Sequence, residues 1–204
     1  MNDPEIRKLF FEKNGYVNTS ERQKTRCGGV GISGLQPSGE YVFQEFGIME
    51  GHVVADVVVI DLRVHSGVGG IAGFEIKSNE DNFKRFDRQQ KAYSNVFDEN
   101  CLIVGESHMH HSLDICPEKW TIMVARENGL DKIRYARTGS PCPSEFVKLL
   151  WRAEAYDILK RHGLGLRMSG ACRQAMWDRL VESVEWPVLK SEILKKITER
   201  RGWK

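Results

Sequence analysis

Three residues have types and spacing suited to chemistry on a phosphate: Asp56, Glu75 and Lys77. In Gly73-Phe-Glu-Ile-Lys77 the two-residue period of a strand puts Glu75 and Lys77 on one face, with Phe74 and Ile76 on the other, toward a helical layer. Asp56 interrupts the apolar run Val53-Val-Ala-Asp-Val-Val-Val-Ile60. A charge inside a covered strand is costly unless it is paired or faces a cleft. A turn between the two strands would bring Asp56 beside Glu75. Two carboxylates and a backbone oxygen, that of Ile76 being the natural candidate, make a hard oxygen set suited to Mg²⁺ or Mn²⁺. Such an ion polarises a phosphodiester and acidifies an attacking water. Lys77 would orient that water or stabilise charge building on the phosphate oxygens. The competing reading is an ordinary cross-strand salt bridge of Lys77 with Asp56 or Glu75. With 14 lysines and 28 acids among 204 residues, an acid-x-Lys triplet is expected by chance. The weight therefore lies in the context: an acid inside a strand run, a short turn, acid-x-Lys in the next strand, then an amphipathic helix.

The elements that must position these residues follow from hydrophobic period. Ile6, Leu9 and Phe10 at helical spacing after Asp3-Pro4 predict a helix over 3–13. Residues 18–40, with five glycines and Pro37, read as a loop. Tyr41–Ile48, the long Val/Ile run 53–64 and Ile71–Lys77 read as three strands in a meander, the second covered on both faces. A glycine-rich turn at 66–70 joins the last two. Phe83, Phe86, Tyr93 and Phe97 form one stripe and predict a helix over 81–97, with Ser78 or Asp81 as N-cap. Cys101–Gly105 is a strand. Trp120–Ala125 and Ile133–Ala136 form a hairpin across Asn128-Gly129. From Pro143 the pattern is helical, with helices over 144–161, 171–185 and 187–200. The division is an α/β core over residues 1–140 and a C-terminal helical subdomain over 141–204.

Val54-Ala-Asp56, Glu75-Ile-Lys77 eighteen residues later, and then Ser78, Asp81, Arg85-Phe-Asp-Arg88-Gln89 and Tyr93 together resemble the PD-(D/E)xK nuclease superfamily. The likeness is to a little-characterised bacterial and phage branch. It covers residues 41–105, and Leu149-Leu-Trp151-Arg-Ala-Glu154 is similar to a downstream helix of that branch. Ala55 stands where a proline often precedes the first acid, a change many members share. The resemblance implies a restriction-endonuclease-like αβββαβ core with a mixed central sheet. It implies a metal-dependent nuclease acting on nucleic acid, DNA foremost, with Mg²⁺ or Mn²⁺ held by Asp56 and Glu75 and with Lys77 catalytic. Glu45 matches a glutamate of the preceding strand, a further ligand or a base acting through water, with Glu50 its rival. Gln89 matches a helix glutamine placed beside the metal. The alternative is a noncatalytic nucleic-acid-binding module or an interaction protein on the same fold.

The formal charge of +2, from 30 basic and 28 acidic residues, neither demands nor excludes a nucleic-acid partner. Local clustering offers one, beside the plainer reading of each basic residue as part of a solvated face. Lys84, Arg85, Arg88 and Lys91 follow the Glu75 strand, and Lys84, Arg88 and Lys91 are spaced to share one helix face and grip phosphates. The C-terminal lysines and arginines would add nonspecific affinity, or serve solubility alone. Five cysteines without a CxxC pair argue against a disulfide framework or zinc ribbon and for reduced thiols in a cytoplasmic protein. No apolar run is long enough for a bilayer, and the N-terminus is not a signal peptide. His108-Met-His110-His111 reads as a polar loop rather than a metal site. Gly28-Gly-Val-Gly31 lacks a P-loop lysine. Cutting both strands of a duplex would need two sites, which a homodimer would supply.

Overall fold

A computed structural model describes residues 1–17, 34–64, 67–135 and 139–200. Most of the loop expected at 18–40, the 28–31 glycines, Cys27, part of the 66–70 turn, Ala136 and Trp203 lie outside the described residues.

The chain is a mixed α/β structure built on one seven-stranded sheet whose spatial order follows the sequence. Strands β1 (Gly34–Leu35), β2 (Tyr41–Ile48), β3 (Val53–Asp61) and β4 (Gly70–Lys77) form an antiparallel meander. β5 (Glu99–Gly105) lies parallel to β4, and β6 (Thr121–Arg126) parallel to β5. Each parallel step needs a crossover, because a tight turn cannot reverse the chain direction twice. Helix α2 (Phe86–Val96) makes the first crossover and α3 (Met109–Ile115) the second. β7 (Gly129–Arg134) closes the hairpin with β6.

Two apolar clusters lie on opposite faces of the sheet. One face carries Phe43, Val58, Ile60 and Ile71 and is covered by Tyr93, Val96 and Phe97 of the α2 segment. The same cluster takes in Phe146, Ile158, Trp177 and Ile193 from α4 (Pro143–Phe146), α5 (Arg152–Arg161), α6 (Arg173–Ser183) and α7 (Trp186–Glu199). The other face carries Val57, Val59 and Ile76, covered by Ile6, Phe10 and Phe11 of α1 (Asp3–Lys13). Gly73 in the middle of β4 is required by the ring of Phe97, which lies where a β-carbon would project. The helical segment is also bolted on by charge: Asp98 accepts from Lys190 Nζ of α7 at 2.7 Å and from Ile71 N of β4 at 2.9 Å. Both side chains of that ion pair are buried.

Several elements differ from the sequence expectation, each for a local reason. α2 begins at Phe86, not 81. Asp81 Oδ2 accepts from both the backbone N and the hydroxyl of Ser78, and Asn82 Oδ1 accepts from Lys84 N. Short polar side chains here satisfy a turn instead of a helix start. Lys84 therefore precedes the helix and does not share the face of Arg88 and Lys91. Phe74 and Ile76 point into the layer of α1, where Phe74 lies 4.7 Å from the Phe10 ring, while α2 covers the Glu75 face. The 108–111 segment is the end of a 3₁₀ turn and the start of α3, not a loop. The helix expected at 144–161 breaks at Leu150, whose ψ of 136° is extended. Among the described residues no helix is long and apolar enough to cross a membrane.

Candidate functional site

β2 and β3 reverse their sidedness at one place. In β2, Phe43 belongs to the α2-side cluster and so do Phe46 and Ile48, an odd step apart. In β3, Val53 and Ala55 face the α2 side while Val57 and Val59 face α1. The ladder pairs Gln44 with Val57 and Phe46 with Ala55, leaving Glu45 opposite Asp56 without a register pair. Glu45 adopts φ +52°, a left-handed conformation unusual for a residue with a β-carbon. The irregularity aims both carboxylates out of the sheet's two apolar layers. The β3–β4 pairing also ends there, at Val57 with Phe74. In place of the next pair, Asp56 Oδ2 accepts from Ile76 N at 2.8 Å.

On β4, Glu75 and Lys77 are buried, 1% and 7% exposed, on the face under α2. Glu75 Oε1 accepts from Lys77 Nζ at 2.5 Å and from Gln89 Nε2 at 2.5 Å, and Lys77 Nζ also donates to Gln89 Oε1 at 3.3 Å. Glu75 Oε2 accepts from the Tyr93 hydroxyl at 2.7 Å. That hydroxyl also receives Asp56 N at 3.3 Å, linking the two strands where they part. α2 supplies Gln89 and Tyr93 from consecutive turns, four residues apart. Burial foremost, and then the Asp56 charge, pushes the Glu75 carboxyl up to about 7 against the opposing pull of Lys77. Burial likewise raises Asp56 and Glu45, with the Arg7 guanidinium opposing both shifts.

Arg7 of α1 is the residue that sequence reasoning missed. Its Nη2 pairs with Asp56 Oδ1 at 2.9 Å and with Glu45 Oε1 at 2.9 Å. Its Nη1 donates to the Asp56 carbonyl at 3.0 Å and its Nε to Asp3 Oδ1 at 2.7 Å. The four-residue Asp3–Arg7 spacing was readable as a helix pair; the reach to Asp56 was not.

These groups surround an open cleft of about 400 Å³. Glu45, Asp56, Glu75, Ile76 and Lys77 line it from the sheet, Asp3 from the start of α1, and Asp81, Arg85, Arg88 and Gln89 from the α2 side. Asp56, Glu75, Lys77, Glu45 and Gln89, expected to act together, are therefore brought together. Arg85 and Arg88 stand at the cleft wall; Arg88 and Lys91 border a neighbouring shallow cavity. Glu50 is not brought to the cleft and pairs with Arg173 of α6. Among the described residues no three Asp, Glu, His or Cys side chains converge to enclose an ion alone. The carboxylates and the Ile76 carbonyl that face the cleft are oxygen donors of the kind a hard divalent ion takes, and His52 stands at its rim.

No functionally curated protein matches the chain. Among solved structures it is similar to a protein of unknown function from Silicibacter pomeroyi, at 18% identity and a TM-score of 0.39 over 66% of this chain and 85% of that one. The family model of bacteriophage P4 protein cII matches residues 32–202, a span that includes β2, β3, β4 and α2 with the cleft residues they supply. On that match the chain belongs to the bacteriophage P4 protein cII family.

Proposed function

We propose that this protein is a metal-dependent nuclease of the PD-(D/E)xK type, hydrolysing phosphodiester bonds of nucleic acid, DNA foremost. The observation that carries the reading is the buried Glu75–Lys77 pair on one face of β4, set beside Asp56 at the point where β3 and β4 part and opening onto a cleft walled by Arg85 and Arg88. A buried ion pair is a weak device for stability, since desolvation offsets most of its attraction. Two acids and a lysine gathered at the open end of a strand pair make more sense as working groups.

Asp56 and Glu75, with the Ile76 carbonyl and Glu45, are the residues that would hold Mg²⁺ or Mn²⁺. The ion, when bound, supplies charge that polarises the phosphate and acidifies water. Lys77 Nζ sits between Glu75 and Gln89, so its three protons can hold a water or a phosphate oxygen as well as the carboxylate. Gln89 fixes that lysine and offers its amide to the same water. Arg85, Arg88, Lys91 and Lys84, all exposed, contact the phosphates of the strand. In this reading the chemistry belongs to a restriction-endonuclease-like core over residues 1–140, with 141–204 an attached helical subdomain, in a cytoplasmic protein that pairs with a second copy to cut duplexes. One observation favours a second reading, a noncatalytic nucleic-acid-binding module: Glu75 is already satisfied by three donors.

The test is incubation with linear, circular and single-stranded DNA and with RNA, in Mg²⁺, Mn²⁺ or EDTA. Metal-dependent cleavage falling at least a hundredfold in Glu75→Ala and Lys77→Ala is expected, the usual size of a lost charge-stabilising group. Binding without cleavage by any substrate selects the second reading, and neither binding nor cleavage defeats both.

A further inference from the structure

We infer that Arg7 is a positioning residue for the cleft acids, a fixed internal cation that holds Asp56 and Glu45 from behind and sets how strongly the site draws a divalent ion. The inference rests on the metal-site reading above and concerns how that site is organised.

The geometry is one-sided. Asp3, Glu45 and Asp56 all line the cleft, and all three contact Arg7, which does not line it. Arg7 grips Asp56 twice, at Oδ1 and at the main-chain oxygen, while Ile76 N takes Oδ2. Each carboxylate oxygen of Asp56 thus spends one acceptor direction on the protein and keeps another for the cleft. With a partner on each oxygen, the carboxylate cannot rotate. Glu45, held in a left-handed backbone conformation, is anchored by the same guanidinium. Only a planar fork reaches four acceptors on three residues at once; a lysine ammonium would keep the charge and lose the geometry. The Arg7 side chain is only 15% exposed, on a helix whose Ile6 and Phe10 are packed under the sheet.

The acids around Arg7 also outnumber the cations bonded to them. Four carboxylates, Asp3, Glu45, Asp56 and Glu75, stand against two bonded cations, Arg7 and Lys77. This ion-paired cluster is two charges negative when all four acids are ionised, and Asp81, Arg85 and Arg88 on the cleft wall bring the whole site to one negative. Without Arg7 the same acids are three negative and freer to move. The ion is then drawn more strongly, but the groups that must align it with the phosphate and Lys77 no longer hold one arrangement.

Three proteins, wild type, Arg7→Met and Arg7→Lys, decide the matter. Mn²⁺ binding is measured without nucleic acid by calorimetry and by the loss of the free-ion paramagnetic resonance signal. Cleavage is measured at saturating Mn²⁺, and folding is checked by melting in EDTA. The Mn²⁺ dissociation constant is expected to tighten by roughly tenfold in Arg7→Met, the scale of one removed unit charge beside a divalent ion in a solvated cleft. It should stay near the wild-type value in Arg7→Lys. Cleavage should fall by about tenfold or more in both, the usual loss when a supporting residue goes. A merely structural role for Arg7 would lower stability without tightening the ion. Unchanged or weaker Mn²⁺ binding by folded Arg7→Met overturns the inference, as does wild-type cleavage by Arg7→Lys, which stays informative if Arg7→Met does not fold. Wild-type protein that binds no Mn²⁺ overturns the metal site itself, and this inference with it.

Discussion

The left-handed backbone at Glu45 makes a prediction whose sign is opposite to ordinary strand behaviour. In a regular strand, glycine is less stable than alanine by roughly 0.5–1 kcal/mol, because it surrenders more chain entropy on folding. At φ +52° a β-carbon meets the following carbonyl, which costs about 1–2 kcal/mol for any residue but glycine. Glu45→Ala keeps that strain and loses the Arg7 ion pair. The pair is partly exposed on the glutamate side, 41%, so its loss costs no more than about 1 kcal/mol. Glu45→Gly loses the same pair but releases the strain. Subtracting the entropy difference leaves Glu45→Gly more stable than Glu45→Ala by about 0–1.5 kcal/mol, centred on ~0.75 kcal/mol. At that centre, in a chain of this size, the rise in melting temperature is roughly 1.5–3 °C. Urea unfolding in EDTA measures the difference directly, with Gln44→Ala and Gln44→Gly as controls at the adjacent position, which keeps its register pair with Val57. There glycine should be the less stable. If alanine is also the more stable at position 45, the strained kink that aims Glu45 into the cleft is not real. Cleavage separates structure from chemistry: both Glu45 variants lack the carboxylate, so both should lose activity equally if Glu45 assists the ion.

Other outcomes follow from the same contacts. Glu75 binds its proton more tightly folded, at about 7, than at the usual 4.5, so the native state is favoured by low pH: stability contributed by this group falls as pH rises from 4.5 to 7 and is constant above. Urea midpoints of the metal-free protein should therefore drop across that window, and Glu75→Gln should flatten the slope. Tyr93→Phe removes the hydroxyl shared by Glu75 Oε2 and Asp56 N inside a fully buried site; a loss of roughly 1–3 kcal/mol in chemical denaturation is expected. Asp98→Ala strands the buried Lys190 ammonium and the Ile71 amide, and should cost about 3–5 kcal/mol. Adding Lys190→Met should recover part of that loss, and no recovery would mean that the pair is not what ties α7 to the sheet.

The strands were legible because β3 carries a long apolar run and β4 alternates Phe74 and Ile76 with Glu75 and Lys77, and Asp56 was legible because it broke the run. Its partner in the kink was not. β3 is apolar on both faces, so a reversal of sidedness between Ala55 and Val57 leaves no gap in the pattern, and nothing marks Glu45 as left-handed. The boundaries that shifted did so where side chains compete with the helix ladder. Ser78, Asp81 and Asn82 bond to turn backbone and delay α2. Glu154 accepts from Trp151 N and from Arg200, starting a fresh helix at Arg152 inside what reads as one apolar stripe. A helix period records which face is buried and is silent about such caps.

Arg7 shows the same limit at the site. Its sequence neighbours, Ile6 and Lys8, read as one buried and one exposed position of an amphipathic helix, and a basic residue between them is unremarkable. Its role arises only when α1 packs Phe10 against Phe74 of β4 and so carries the guanidinium to Asp56, 49 residues away. An acid inside an apolar run advertises itself because its immediate surroundings make it costly. The cation that makes such an acid tolerable can come from any element that covers the sheet. A buried acid in a strand is thus evidence for a partner whose position the sequence withholds, and here that partner comes from the opposite layer to α2, which supplies Gln89 and Tyr93. The two acids at the strand ends are consequently held from two sides: Glu75 by α2 and Asp56 by α1, with the Tyr93 hydroxyl and the Ile76 amide spanning the strand gap between them.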